Sequence, residues 1–326
     1  KLFYLEEKIK HIFKSYKLNE IRTPVLEDAN LFIRSVGGAS DIVNKEIYSF
    51  NDRNDKGIAL RPEGTASVIR SIVEKKLDQS NHKLWYLGPM WRYERPQKGR
   101  YRQFNQAGVE ILGIPEGMPE FEMISIVCSI IKEFNLENCT IKINHLGNQK
   151  SKESFCNALI DFLEPHKKLL DEKDNQRLEK NPLRVLDSKN TNTQEILKNA
   201  PSIKEFLDSS SVNLLNSIKN EFSDICDIEI DYTLVRGLDY YSGFVFEAVS
   251  SNLGAQDSFL GGGRYDQLCA KLGGKNLPSI GMAIGLERFA ELIEVNNLPE
   301  KVVSFIVVTG NLEPKAYKIA HQLRSL

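Results

Sequence analysis

Residues 89–110, "PMWRYERPQKGRYRQFNQAGVE", crowd four arginines and one lysine into a short span and then close on an isolated Gln, Gly and Glu. The stretch reads as two antiparallel strands, about 84–95 and 102–112, joined by a basic loop. Successive side chains along a strand point to opposite faces. Arg92 and Glu94 therefore share a face, as do Gln106, Gly108 and Glu110 on the return strand, while Ala107, Val109 and Ile111 turn the other way. A polar, glycine-thinned floor backed by core lets something approach the backbone, which a purely structural strand does not need. The loop cations alone (Arg95, Lys98, Arg100, Arg102) would be a solvated charge run; together with an inward Arg92 and Glu110 they describe a site.

Composition sets the limits around that stretch. A chain of 326 residues can bury a large core and carry more than one domain. Its formal net charge is −1, so any polyanion has to be met by a local patch. The five cysteines are far apart with no C-x-x-C pair, and the five histidines show no H-x-x-x-H spacing. Neither a disulfide framework nor a zinc site is expected, and a reducing, cytoplasmic setting fits. No apolar run approaches the length of a membrane span, so no membrane partner is expected.

Working outward, Leu2, Leu5, Ile9, Ile12, Phe13 and Tyr16 repeat at helical spacing. "NEIRTPVLEDANLF" reads as a strand interrupted by Pro24, a residue that belongs at an edge, a bulge or an interface. A hairpin turning at 54–57 and helices at about 65–76 and 119–135 follow. Residues 148–223 are rich in Lys, Glu, Asp, Asn and Ser, with Phe155, Leu159, Phe162 and Leu163 at helical spacing, and read as a helical insertion. Strands return at 226–235 and 243–250, a flexible glycine turn is expected at 261–263, and "GMAIGLERF" (281–289) runs from strand into helix. Strands and helices come in blocks, which favours an α+β fold, an antiparallel sheet flanked by helices. Residues from about 302 onward read as the start of a further α/β domain, because one strand and one helix cannot bury their own faces.

Three other stretches have the same mixed character. "LRPEGT" sets Arg61, Glu63 and Thr65 at a helix mouth, where a carboxylate can receive an amine. "VRGLDYYSG" places Arg236 and two tyrosines at a strand end, and Arg288 stands near the last helix start. No G-x-x-x-x-G-K-[ST] or complete dinucleotide fingerprint occurs, so P-loop and Rossmann binding are unsupported. Planar, permanently charged guanidinium groups suit phosphate, and carboxylates with a Gln suit an amino group. Together they describe a site for a nucleotide and an amino acid.

At that point the chain resembles the class II aminoacyl-tRNA synthetases, and within them the histidyl-tRNA synthetase family. "EIRTPVLE" is similar to motif 1 with its interface proline, 85–112 to motif 2 and "GMAIGLERF" to motif 3, while "VRGLDYYSGFVFE" and "GGGRYDQL" resemble the two histidine-specific motifs. The resemblance implies a histidine–tRNA ligase using ATP and Mg²⁺, with tRNA(His) as partner and a homodimer as the assembly. It implies Arg236 and Arg92 as catalytic arginines, Arg92, Glu94, Arg100 and Arg288 at ATP, and Arg95, Gln97 and Lys98 at the tRNA acceptor end. Histidine would be held by Glu63, Thr65, Gln106, Glu110, Tyr241 and Tyr265. The implied domains are a catalytic domain in two parts, 1–147 and 224–299, the insertion at 148–223, and the start of an anticodon-binding domain at 302–326. The competing reading is a non-catalytic relative, the synthetase-like regulatory subunit of ATP phosphoribosyltransferase.

Overall fold

The computed structural model describes residues 1–36, 45–94, 99–254, 257–294, 306–310 and 312–324. They fall into two compact units, Lys1–Ile293 and Glu294–Leu326. In the second, the helix expected after the terminal strand runs over Glu313–Arg324. The expected strand lies partly outside the described residues, and 306–310 form none.

The first unit opens with α1 (Leu2–Ser15), whose Leu5, Ile9, Ile12 and Phe13 form one buried face. Pro24 separates two short strands, β1 (Asn19–Glu20) and β2 (Leu26–Asp28), which join different sheets. After α2 (Ala29–Val36), β3 (Ser49–Asn51) and β4 (Gly57–Leu60) complete a three-stranded sheet in the order β2-β4-β3. Helix α3 (Thr65–Glu74) starts where Glu63 caps it: one carboxylate oxygen accepts from the Thr65 N–H at 2.7 Å and the other from Ala66 at 2.9 Å.

The opening stretch forms β5 (His82–Trp91) and β6 (Gln103–Leu112), an antiparallel pair. The first strand ends earlier than expected, although the Arg92 N–H still donates to the Arg102 carbonyl at 2.9 Å. Helix α4 (Met118–Glu133) and strand β7 (Cys139–His145) follow. Four helices then run in succession, α5 (Gln149–Leu163), α6 (Glu172–Lys180), α7 (Thr191–Leu197) and α8 (Ser209–Phe222). Each begins at an Asn or Asp whose side chain accepts a first-turn N–H: Asn148, Asp171, Asn190 and Asp208. Strands β8 (Asp227–Ile230), β9 (Phe244–Ser250), β10 (Ser258–Arg264) and β11 (Ser279–Gly285) complete the large sheet; α9 (Leu268–Lys271) packs against α2 and α3, and α10 (Leu286–Glu291) against β10 and β11.

The sheet has eight strands in the order β1-β5-β6-β11-β10-β9-β7-β8. Only the edge pairs β1–β5 and β7–β8 are parallel. One correction to the sequence reading concerns 261–263, which are not a turn but the middle of β10. A Cβ on Gly261 would overlap the Arg236 guanidinium, and one on Gly262 would overlap the Gly281 carbonyl of β11. These glycines give room to their neighbours, and their flexibility is spent in extended backbone.

Candidate active site

The register of the central strands lays one face of the sheet open. Tyr86, Gly108, Ala283, Gly261 and Glu247 stand opposite one another across β5, β6, β11, β10 and β9. The next row places Leu84, Glu110, Gly281, Gly263 and Val245 together, and a third joins Gly88, Gln106 and Gly285. Directly paired residues share a face, so this is a glycine-rich floor from which a few polar side chains rise. Over it lies a cavity of about 620 Å³, lined by Glu63, Thr65, Gln106 and Tyr241 and by the arginines at 92, 100, 236 and 288.

At one end the floor carries carboxylates without bonded cations. Glu110 is fully buried, and its two oxygens accept from the Thr65 hydroxyl at 2.6 Å and from the Tyr265 hydroxyl. Burial pushes its pKa up to about 8, a rise that the two hydroxyl bonds oppose and the charge of Glu63 reinforces. Glu63 is likewise raised by burial, against its two backbone N–H bonds and the charge of Arg92. The Gln106 Oε1 is buried without a partner. Tyr240 bridges two rings, Tyr241 at 4.7 Å and Tyr265 at 5.7 Å between centroids, which fixes the tyrosines over Glu110.

Cations gather at the other end. Arg92 donates from Nε to the Pro62 carbonyl at 2.8 Å and stands 5.3 Å over the Phe104 ring. Glu94 faces Arg100 at 3.0 Å and Arg92 at 3.9 Å. Arg288 is lowered by burial and then by the charge of Arg100, so two positive groups converge there. Gly99 packs against the Arg288 backbone at 3.5 Å from a notional Cβ, which sets Gly99 beside the start of α10. Glu287 braces this end by accepting from the Asn105 N–H at 2.8 Å and from its side-chain amide at 2.9 Å.

Between the two ends Arg236 lies over Gly261 and pairs with Glu247 at 2.9 Å. Burial works against its charge, but Glu247 and the flanking tyrosines outweigh it and leave the group raised. Of the expected site residues, Arg95, Gln97 and Lys98 lie outside the described residues. Glu110 and Tyr265 form the layer beneath the cavity wall, and the other expected residues reach the wall itself or its Arg236 centre.

Two of the cations that caught attention in the sequence are spent elsewhere. Arg61 is buried and donates to the Thr23 carbonyl and hydroxyl and to the Pro89 carbonyl, all within 3.0 Å. Arg102 stacks 4.3 Å over the Tyr93 ring. The sequence reading missed Glu247, although a single acid inside the apolar run "FVFEAVS" marks it. It also missed a set of basic residues from the segment 173–189, Arg184 foremost, which line the same cavity. Nothing in the local pattern of that segment set them apart from surface charge.

A largely antiparallel sheet whose central hairpin sets Arg92 and Arg100 at a glycine-rich floor, with a last strand running into an arginine-bearing helix, is the catalytic fold of the class II aminoacyl-tRNA synthetases. The family described as histidyl-tRNA synthetase matches residues 2–289. A histidine–tRNA ligase of Microcystis aeruginosa is 45% identical over 99% of this chain and 77% of its own length. One from Francisella philomiragia is 46% identical over 89% of this chain and 70% of its own. Among solved structures, apo histidyl-tRNA synthetase of S. aureus superposes with a TM-score of 0.78 at 33% identity, covering 99% of this chain and 78% of that one. The chain belongs to the histidyl-tRNA synthetase family.

Proposed function

We propose that this pocket ligates histidine to tRNA(His) in two steps, activation by ATP to histidyl-adenylate and transfer of the histidyl group to the terminal ribose. The observation that carries the reading is the division of one floor into a carboxylate end and an arginine end, with Arg236 between them. The α-ammonium of the amino acid needs three acceptors. Glu63 supplies a carboxylate, Gln106 its unpartnered Oε1, and Thr65 the lone pairs of a hydroxyl whose hydrogen is already given to Glu110. The imidazole would then lie toward Glu110, Tyr241 and Tyr265, where buried polar atoms reject rings that leave them unpaired.

The substrate carboxylate is ionised at neutral pH, so attack on the α-phosphorus needs no general base. Arg92 and Arg236, fixed before the reaction, meet the charge that builds on the α-phosphate, and Arg100 and Arg288 meet the distal phosphates. Among the described residues no three His, Cys, Asp or Glu side chains converge on a point that could hold a metal ion. Two of the carboxylates on the wall, Glu94 and Glu247, would hold Mg²⁺ arriving on the triphosphate, and the ion would supply charge neutralisation there. Arg95, Gln97 and Lys98 are assigned to the tRNA acceptor end.

The small sheet and α2 expose Val25, Leu26, Ile33 and Phe50, each between 37% and 51% accessible, and we assign this apolar face to a homodimer interface. All five cysteines are free thiols and no described helix is long and apolar enough to cross a membrane, in keeping with a cytoplasmic enzyme. The regulatory-subunit reading needs none of these polar side chains. An ATP phosphoribosyltransferase regulatory subunit/histidyl-tRNA synthetase of Bacillus halodurans is similar to this chain in fold, at 21% identity and a TM-score of 0.68. The test is histidine-dependent ATP–pyrophosphate exchange followed by charging of tRNA(His). Exchange with another amino acid in place of histidine, or with none, would refute the assignment.

A further inference from the structure

The helical stretch between β7 and β8 brings into the pocket one cation that none of the roles above uses. Arg184 lies in the 3₁₀ segment Pro182–Asp187 and lines the same cavity as Arg236. Its Nη1 sits 3.7 Å from where a Cβ on Gly237 would stand, against the residue that follows Arg236. The side chain is 14% exposed, and its nearest carboxylate, Asp187, is 4.0 Å from Nη2. Nε and Nη1 are buried with no hydrogen-bond partner, and so is the Nε of Arg236. Buried donors on a charged group cost free energy when unpaired, so a guanidinium held in this state has an occupant to receive.

Its position is fixed from both sides. Leu183 packs into the core cluster that contains Leu234, Tyr240 and Tyr241. The Asn181 side-chain amide donates to the Asp239 carboxylate at 2.8 Å. The turn that carries Arg236 and the segment that carries Arg184 are thus joined by core packing and by a hydrogen bond. Other cations of this wall differ in kind: Arg177 is paired with Asp174 at 3.1 Å, and Lys173 and Lys189 are exposed. A long polyanion passing over the pocket meets the exposed lysines, whereas only a small anion inside it reaches the buried nitrogens of Arg184.

We infer that Arg184 is a further catalytic arginine of the activation step, beside Arg92 and Arg236, binding with Arg236 the phosphoryl group that the histidine carboxylate attacks. The inference rests on the functional reading above. In that step a carboxylate oxygen forms a bond to the α-phosphorus, the bond to the bridging oxygen breaks, and pyrophosphate leaves with the electron pair. No proton is transferred and nothing is oxidised. Arg236 has one nitrogen committed to Glu247, and Arg184, beside Gly237, supplies donors that no protein acceptor engages. One preorganised donor of this kind is worth roughly 10²-fold or more in kcat.

The test measures pyrophosphate exchange with histidine and no tRNA, for the parent chain, Arg184→Met and Arg184→Lys, with Arg184→Ala assayed in added methylguanidinium. Arg184→Met is expected to lower kcat by roughly 10²-fold while the KM of histidine stays within about threefold. Arg184→Lys should fall between, and methylguanidinium should restore part of the rate of Arg184→Ala, an effect that repair of a merely structural gap by lysine would not produce. Exchange by Arg184→Met at the parent rate overturns the inference; if tRNA charging alone falls, Arg184 serves the nucleic acid instead. Loss of exchange with neither lysine nor methylguanidinium recovery also overturns it, as a packing defect. A parent chain that exchanges nothing with histidine would overturn the functional reading itself.

Discussion

Replacing Glu110 by Gln isolates the group on which the carboxylate end of the pocket depends. Glu110 is fully buried with no cation in contact, and burial carries its pKa from 4.5 to about 8 against the two hydroxyl bonds it accepts. A raised carboxyl holds its proton in the folded chain over a range in which the unfolded chain has already lost it. Its contribution to stability is complete below about pH 4.5 and is lost progressively as pH climbs through about 8. Each pH unit inside that window removes about 1.4 kcal/mol, so the whole window amounts to at most about 5 kcal/mol. Gln keeps the shape and a donor but cannot titrate. Urea unfolding of both proteins at pH 5, 7 and 9 should show the stability of Glu110→Gln relative to the parent growing with pH, most of it between pH 5 and 8. Parallel stability profiles from pH 5 to 9 would refute the claim that burial keeps Glu110 protonated at neutral pH.

Gly261→Ala places a methyl group in the volume of the Arg236 guanidinium, so pyrophosphate exchange should fall by roughly 10²-fold or more while the far-ultraviolet circular dichroism is unchanged. Arg264→Met leaves Glu120, now bonded at 2.5 Å in a site with almost no exposure, as an unpaired buried carboxylate; chemical denaturation should report a loss of about 3–5 kcal/mol. Leu26→Asp puts a charge on the exposed apolar face of the small sheet and should shift sedimentation from dimer to monomer at micromolar concentration. A parent chain that already sediments as a monomer would instead remove the interface assignment.

The opening hairpin was legible because period-two alternation fixes which side chains share a face, and Gln106, Gly108 and Glu110 do share one. The helical character of the segment 148–223 was legible through the spacing of Phe155, Leu159, Phe162 and Leu163, whereas the Asn and Asp residues that start its helices did not stand out from the other polar residues around them. The glycines at 261–263 were not legible, because glycine signals either a turn or a close approach, and only the position of Arg236 and Gly281 decides between them. Arg61 and Arg184 illustrate the same limit from opposite sides. Both are isolated arginines in polar surroundings, yet one is consumed by three backbone and hydroxyl acceptors and the other reaches the pocket. What an arginine does depends on partners more than twenty residues away, and local pattern carries no record of them.

The bare floor has a thermodynamic corollary. Cross-strand side-chain pairs supply much of the cohesion of a sheet, and the rows through Gly261, Gly108, Gly281 and Gly263 offer almost none on the side facing the cavity. Tyr86 lies over Gly108, Arg236 over Gly261 and Glu110 over Gly281, so cohesion on the cavity side comes from polar and aromatic side chains laid across the floor, and a bound adenylate would pack on that layer. Ligands of the floor should behave as folding cofactors, slowing amide exchange in β6, β10 and β11 and raising the melting temperature in proportion to the logarithm of their concentration over Kd. A non-reacting histidyl-adenylate mimic would then be a stabiliser first and an inhibitor second.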